Sequence, residues 1–307
     1  MASEDLKTGL DILHAALLDA GGAASSSGDY AAEGKRAVRQ AYWSILCHAR
    51  WPWGLATSPN VIAVQAAQRV TVNSIAGTTM TLSANLTLSM LYYKVYLESN
   101  QSVYRVLIHT DNTDTVSLDA SYVESVTSGP AIFFKDEYAL PTSVLRVWDP
   151  MWPRGWYDNS IPLIDKPLFE QRYGRGAWGF GSGIIEAACE VHPEGFDATS
   201  DNMIRQVRFA PWCEDALNIE HDYTVFHDLD FSGTGSTVDT PKVPREHRSV
   251  IANLATALLC INKDESKAKD YGEIGAGKLR AMVDQYLPSQ AGRLHAQAKH
   301  SVSLGLT

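Results

Sequence analysis

The stretch PKVPREHRSVIANLATALLCI, residues 241–261, decides how the rest of the chain is read. Pro241 and Pro244 lack a backbone donor and end whatever precedes them. Beyond them Val250, Ile251, Leu254, Ala257, Leu258 and Ile261 recur at helical spacing and form one apolar stripe. A further helix is predicted over Lys267–Tyr286, with Ile274, Leu279, Met282 and Val283 as core contacts. These two helices alone do not make a satisfactory core, so their apolar faces need a partner from elsewhere in the chain.

The opening residues offer that partner. Leu6, Leu10, Leu13 and Leu17 fall on one helical face, and the helix they predict stops at Gly21-Gly22. After a loop at Ser25–Gly28, a second helix from Tyr30 carries Val38, Tyr42, Ile45, Leu46 and Ala49. It runs into Arg50-Trp51-Pro52-Trp53, where Pro52 biases its neighbour away from helical geometry and ends the helix.

Between these ends the period changes from helical to alternating. Val70 and Val72, Met80 and Leu82, and Tyr92, Lys94 and Tyr96 alternate with their neighbours. Val103–Ile108 and Thr115–Leu118 continue the series, with breaks at Ala76-Gly77, Ser99-Asn100 and Asp111-Asn112. Short strands with tight breaks predict an antiparallel sheet or small barrel, extended by Val144–Trp148, by a strand through Ile204–Phe209 and by Tyr223–Phe226. Residues 149–183 are rich in Pro, Gly and Trp without a sustained period and read as a long loop.

The predicted fold class is therefore α+β: a helical bundle formed by the amino- and carboxy-terminal helices (residues 1–58 and 240–287), with a large antiparallel β domain inserted at 59–239. Residues 288–307 hold a few spaced apolar side chains, Leu294, Val302, Leu304 and Leu306, too few to pack alone. They are expected to form an extended carboxy-terminal arm that orders on another subunit.

With 307 residues, 45% of them hydrophobic, the chain can bury one or two cores. A net charge of −9 argues against wrapping nucleic acid, which needs clustered Lys and Arg. Cys47, Cys189, Cys213 and Cys260 are too scattered for a zinc knuckle or redox pair and are expected to be reduced. Glu4, Asp5 and Lys7 interrupt any leader-like opening, and the apolar stretch at Ile251–Ile261 is too short to span a bilayer, so no membrane association is expected.

No motif for chemistry survives its context. Gly174-Arg175-Gly176-Ala177-Trp178-Gly179 has the spacing of a dinucleotide fingerprint but no strand leads into it. Gly179-Phe180-Gly181-Ser182-Gly183 puts Gly181 where a nucleophile elbow needs serine. His221 and His227, with Glu220, Asp222 and Asp228 nearby, could share a strand face as metal ligands, but surface or interface histidines are the stronger reading. The pair Asp228 and Asp230 reads as a solvated strand end rather than a glycosidase pair. No catalytic residue, cofactor or metal is expected. Trp148, Trp152, Trp156 and Trp178 could stack on sugars, yet aromatics of this kind also anchor protein interfaces, and Trp152, Trp156 and Trp178 are taken as interface candidates.

Several stretches, taken in order, resemble the head-to-tail adaptor (connector) proteins of tailed bacteriophages. They are the helix at Leu6–Leu18, Trp51-Pro52-Trp53 after the second helix, Tyr138-Ala139-Leu140-Pro141 before Val144–Val147, Phe209-Ala210-Pro211-Trp212, and Val243-Pro244-Arg245-Glu246-His247 before an apolar helix. The resemblance implies a homo-oligomeric ring, of twelve copies, docked beneath the portal protein and forming part of the channel through which double-stranded DNA passes. It also implies a downstream tail or nozzle protein, with tail fibres as a further neighbour, and a carboxy-terminal arm reaching onto the portal. The protein would be made in the host cytoplasm and end in the virion. The alternative is a phage tail or host-surface carbohydrate-binding protein that uses the Trp-rich loop.

Overall fold

A computed structural model describes residues 6–22, 28–100, 102–155, 159–174, 183–191, 196–197, 202–203, 205–236 and 239–288. In chain order the elements begin with helices α1 (Gly9–Asp19) and α2 (Asp29–His48). Strands β1 (Asn60–Val64), β2 (Gln68–Ala76), β3 (Thr79–Leu86), β4 (Lys94–Leu97), β5 (Tyr104–His109), β6 (Thr113–Leu118) and β7 (Gly129–Phe134) follow. Next come β8 (Glu137–Ala139), β9 (Val144–Val147), β10 (Trp152–Pro153) and a short helix, α3 (Lys166–Tyr173). The chain continues through β11 (Ala187–Val191), β12 (Phe196–Asp197), β13 (Asn202–Met203), β14 (Gln206–Ala210), β15 (Leu217–His221) and β16 (Tyr223–Val225). It closes on α4 (Ser249–Cys260) and α5 (Glu265–Tyr286).

These elements divide into two compact units. The first holds residues 1–57, 143–146 and 223–307; the second holds 58–142 and 147–222.

In the first unit α1 starts on a reciprocal cap. The Thr8 hydroxyl accepts from the Asp11 amide at 3.2 Å, and the Asp11 carboxylate accepts from the Thr8 amide at 2.9 Å. Asp264 caps α5 in one direction only, its carboxylate accepting from the Lys267 amide at 3.0 Å. Close helix approach depends on missing side chains: a methyl group at Gly34 of α2 would lie 2.8 Å from Leu13 and Leu17 of α1. At Gly275 of α5 it would lie 2.6 Å from Leu254 of α4. The buried core joins Ile12, Leu13 and Leu17 to Val38, Tyr42 and Ile45, and these to Val250, Ile251, Leu279 and Met282. It is not closed by helices alone, because Leu229, Phe231 and Val243 of the connecting chain are buried in it and Leu145 of β9 packs against it.

Two further contacts fix the non-helical parts of this unit. Trp51 is fully buried, stacks on Trp53 with ring centroids 5.3 Å apart, and donates its indole N–H to the Ile45 carbonyl at 2.6 Å. Arg248, also buried, donates to the carbonyls of Val243 (3.0 Å), Pro241 (3.1 Å), Leu6 (3.1 Å) and Lys7 (2.6 Å). One guanidinium thus ties the residues before α1 to the proline-bounded segment before α4.

The second unit is mostly strand. β2, β3, β6, β5, β4 and β7 form a closed antiparallel barrel in that order, filled by Val72, Met80, Leu82, Val95, Val106, Val116 and Phe133. β7 closes it by pairing with β2 on one side and β4 on the other. The first turn lies at Gly77, whose φ of +60° is open to glycine at no steric cost. Two three-stranded sheets accompany the barrel, ordered β11-β14-β8 and β1-β15-β10. α3 covers the first of these, burying Phe169 and Tyr173 against Ala187, Cys189 and Ala210.

This architecture corrects the expected fold class. The expectation was a helical bundle formed by the terminal helices, with one large inserted antiparallel β domain and an extended carboxy-terminal arm. The structure is α+β, but with five helices among the described residues, one of them inside the strand-rich part, and mostly strands, six of which close into a barrel. Alternation gives the face that each strand buries; it does not give the neighbour across the ladder, and closure rests on the double pairing of β7. The stretch read as a loop at 149–183 contains β10 and α3, because Pro167 sits in the first turn of α3, where its missing donor is not needed. The expected arm lies outside the described residues.

Candidate interaction surface

The barrel turns several large apolar side chains outward. In β5 the burial of Val106, Leu107, Ile108 and His109 runs buried, exposed, exposed, buried. The ladder to β6 slips by one residue between Val106 and Ile108, a bulge that points two successive side chains to solvent. Both are large aliphatics, and Ile108 is 65% exposed. The chain before β4 lies along the same strand: the Tyr92 amide donates to the Val106 carbonyl at 3.1 Å, and the Val106 amide to the Tyr93 carbonyl at 2.8 Å.

That register brings Leu88, Leu91 and Tyr92, all exposed, alongside Leu107 and Ile108. Tyr92 has a φ of +67°, a region that a bulky side chain occupies at a steric cost. Tyr92 is nevertheless 63% exposed, so burial of its side chain does not offset the cost. His109 anchors the loop from behind, its Nδ1 accepting from the Met90 amide at 3.1 Å. The result is an apolar surface held by backbone hydrogen bonds rather than by its own burial.

A buried charge network fixes the strands behind β14. The Asp136 carboxylate, between β7 and β8, lies 2.8 Å from Lys94 Nζ and 2.9 Å from Arg208 Nε. Lys94 also reaches Glu137 at 3.0 Å, and Glu137 binds Arg105 at 2.8 Å. The Arg208 guanidinium lies 5.5 Å from the centre of the Phe169 ring. Each charge has an opposite partner, and the space between Asp136, Arg208, Phe209 and Trp212 is filled, so the cluster reads as a fastening rather than a binding site.

A groove of 710 Å³ in the second unit is lined by Pro153, Ser160, Ile184, Cys213, Glu214 and Asp215. Burial pushes the Cys213 thiol up, away from the reactive thiolate, and Glu214 is held by Arg69 at 2.9 Å. No nucleophile and base are paired there among the described residues.

The residues singled out from the sequence are not brought together. His221 lies in β15 of the second unit, fully buried, with Nε2 3.0 Å from Asn60 Nδ2; burial pushes its pKa down to about 4. His227 lies in the first unit, 3.1 Å from the Tyr42 hydroxyl, which accepts from the Lys242 amide. Burial pushes that hydroxyl up to about 12. Glu220 pairs with Arg154 at 3.2 Å and Asp228 with Arg39 at 3.1 Å, while Asp230 is exposed. Among the described residues no three His, Cys, Asp or Glu side chains converge as metal ligands.

Trp152 is half-buried in β10, opposite Glu220. Trp156 and Trp178, the arm residues Leu294, Val302, Leu304 and Leu306, and the glycine motif beyond Gly174 lie outside the described residues. Sequence reasoning missed the barrel surface. Its signal was the run Val106-Leu107-Ile108, in which three successive apolar residues break the alternation of the strand. No protein-family model matches this chain, and no curated protein matches it in sequence.

Proposed function

We propose that the chain is a non-enzymatic virion subunit: an adaptor that assembles as a ring under the portal of a tailed bacteriophage, joins head to tail and surrounds the exiting DNA. The observation that carries this reading is the apolar surface of Leu88, Leu91, Tyr92, Leu107 and Ile108 on the barrel. Large exposed aliphatics grouped with an aromatic are typical of surfaces that bury against another protein. The order of the stretches that resemble the adaptor family adds support, as does the net charge of −9, which gives a channel little grip on DNA.

In this reading the barrel surface meets a neighbouring copy or the downstream tail protein, and Leu294, Val302, Leu304 and Leu306 belong to the segment that reaches the portal. The test is electron microscopy of the full chain mixed with portal rings of its own phage. The expected image is a collar on the portal, lost when the residues after Leu287 are deleted from a chain that still folds. A chain that stays monomeric with and without portal overturns the proposal. Saturable binding of host glycans, weakened by Trp152→Ala, would favour the carbohydrate-binding alternative.

A further inference from the structure

His109, the last residue of β5, is buried, and its ring joins two other parts of the barrel. Nδ1 lies 3.1 Å from the Met90 amide, and Nε2 lies 3.3 Å from the carbonyl of Thr113, the first residue of β6. A backbone amide can only donate and a carbonyl can only accept. These partners therefore fix the ring as the neutral tautomer, with its proton on Nε2 and Nδ1 bare.

The segment held by that ring is residues 87–92. Met90 is its one buried residue and belongs to the barrel core with Leu86 and Val116, whereas Thr87, Leu88, Ser89, Leu91 and Tyr92 are exposed. Two bonds of 3.1 Å tie the loop to β5, from the Met90 amide to the His109 ring and from the Tyr92 amide to the Val106 carbonyl. A longer one runs from the Ser89 hydroxyl to the His109 carbonyl at 3.4 Å. Tyr92, with its φ of +67°, sits at a steric cost that these bonds must offset. Of the three, only the bond to the ring depends on a proton.

When the ring takes a second proton, Nδ1 becomes a donor facing the Met90 donor. The bond is lost, a buried amide is left without its acceptor, and a positive charge stands at a buried position. Among the described residues no carboxylate pairs with the ring to balance that charge. The ionisable groups of the surrounding elements are Tyr92 and Tyr93 in the loop, Tyr104 and Arg105 in β5, Asp111 in the β5–β6 turn and Asp114 in β6; β3 has none. Asp111 and Asp114 are exposed, and Arg105 is held by Glu137 at 2.8 Å.

We infer that His109 is a proton-operated latch on residues 87–92: the neutral ring holds the loop and Met90 in place, and a proton taken from solvent releases them. A histidine in water titrates near pH 6.5, and the latched form cannot take the proton without losing its bond. Opening is therefore least favourable at neutral pH and above, and at pH 5 it is easier by about 30-fold. Leu88, Leu91 and Tyr92 belong to this loop, so acid alters the apolar surface read above as an interface. Only that last consequence rests on the adaptor reading; the latch itself is tested on the chain alone.

The test is amide hydrogen exchange of the full chain, followed by NMR at pH 7.5 and pH 5.0 and corrected for the pH dependence of unstructured amides. Protection of Met90 and Leu91 is expected to fall by about 30-fold on acidification in the wild type. It should stay level in His109→Asn, whose side-chain oxygen can accept from the Met90 amide but takes up no proton in this range. Amides of β2, paired with β7, report opening of the whole barrel and should change less than Met90. Unchanged protection at pH 5.0, an equal fall in His109→Asn, or an equal fall at β2 would overturn the inference. Should His109→Asn not fold, the ring nitrogen shifts of the wild type decide: a proton on Nδ1 at pH 7.5 overturns the latch, and a bare Nδ1 that gains its proton together with the loss of Met90 protection supports it.

Discussion

Asp136 and Arg208, 72 residues apart in the chain, form an ion pair at 2.9 Å with their side chains only 5% and 8% exposed. Lys94 completes the cluster on the other side of the carboxylate. Asp136 is thus shared by two buried cations, one of which, Lys94, also reaches Glu137. Asp136→Asn leaves both under-compensated and is expected to destabilise the protein by about 3–5 kcal/mol, seen as a lower urea midpoint. Replacing all three by apolar residues (Lys94→Met, Asp136→Leu, Arg208→Met) should recover much of that loss, because the desolvation cost is removed with the charges.

His221 makes stability depend on pH. Burial holds its folded pKa at about 4, below the ordinary 6.5, so the unfolded chain binds the extra proton first. The contribution is complete above pH 6.5 and is lost as the pH falls toward 4, reaching about 3 kcal/mol in full. Urea unfolding of the wild type and His221→Gln at pH 7 and pH 4.5 checks this. The variant should show a shallower loss over that interval.

Ile108 and Leu107 face solvent side by side, so charges there should cost the isolated fold little. Leu107→Asp with Ile108→Asp is expected to change unfolding stability by no more than about 0.5 kcal/mol per site. Assembly measured by size-exclusion chromatography or electron microscopy should fall sharply. Unchanged assembly would remove this surface from the interface.

Arg248 gathers four carbonyls that a shorter, single-headed cation cannot reach together. Arg248→Lys is expected to cost about 2–4 kcal/mol, since several charge-assisted hydrogen bonds are lost at a buried position. Hydrogen exchange should quicken first at the start of α1, where Leu6 and Lys7 lose their tie.

The helical elements were legible in residue periodicity. Val250, Ile251 and Leu254 lie on α4, and the helix predicted from Tyr30 overlies α2, because an apolar stripe at 3.6-residue spacing has few other solutions. The arrangement was not legible. Pairing of Gly129–Phe134 with both β2 and β4 is a long-range relation that no local pattern encodes. Alternation with Lys94 and Tyr96 makes Tyr92 a strand residue in the sequence, yet it lies outside β4 in a left-handed conformation, its amide bonded to the Val106 carbonyl. The barrel surface was visible only as a flaw, three apolar residues in succession at Val106–Ile108, and a bulge cannot be placed without its partner strand. His221 and His227 look like neighbours on paper, but each is consumed by hydrogen bonds in a different unit.

Closure of the β2-β3-β6-β5-β4-β7 ring has a consequence for any neighbour. A ring of strands has no unpaired edge, so another chain cannot extend it by adding a strand. Recognition at the barrel then rests on side chains and loop tips instead of main-chain pairing. Those positions can drift in sequence without disturbing the ladder beneath, which lets the same scaffold be refitted to a different partner by changing a few surface residues.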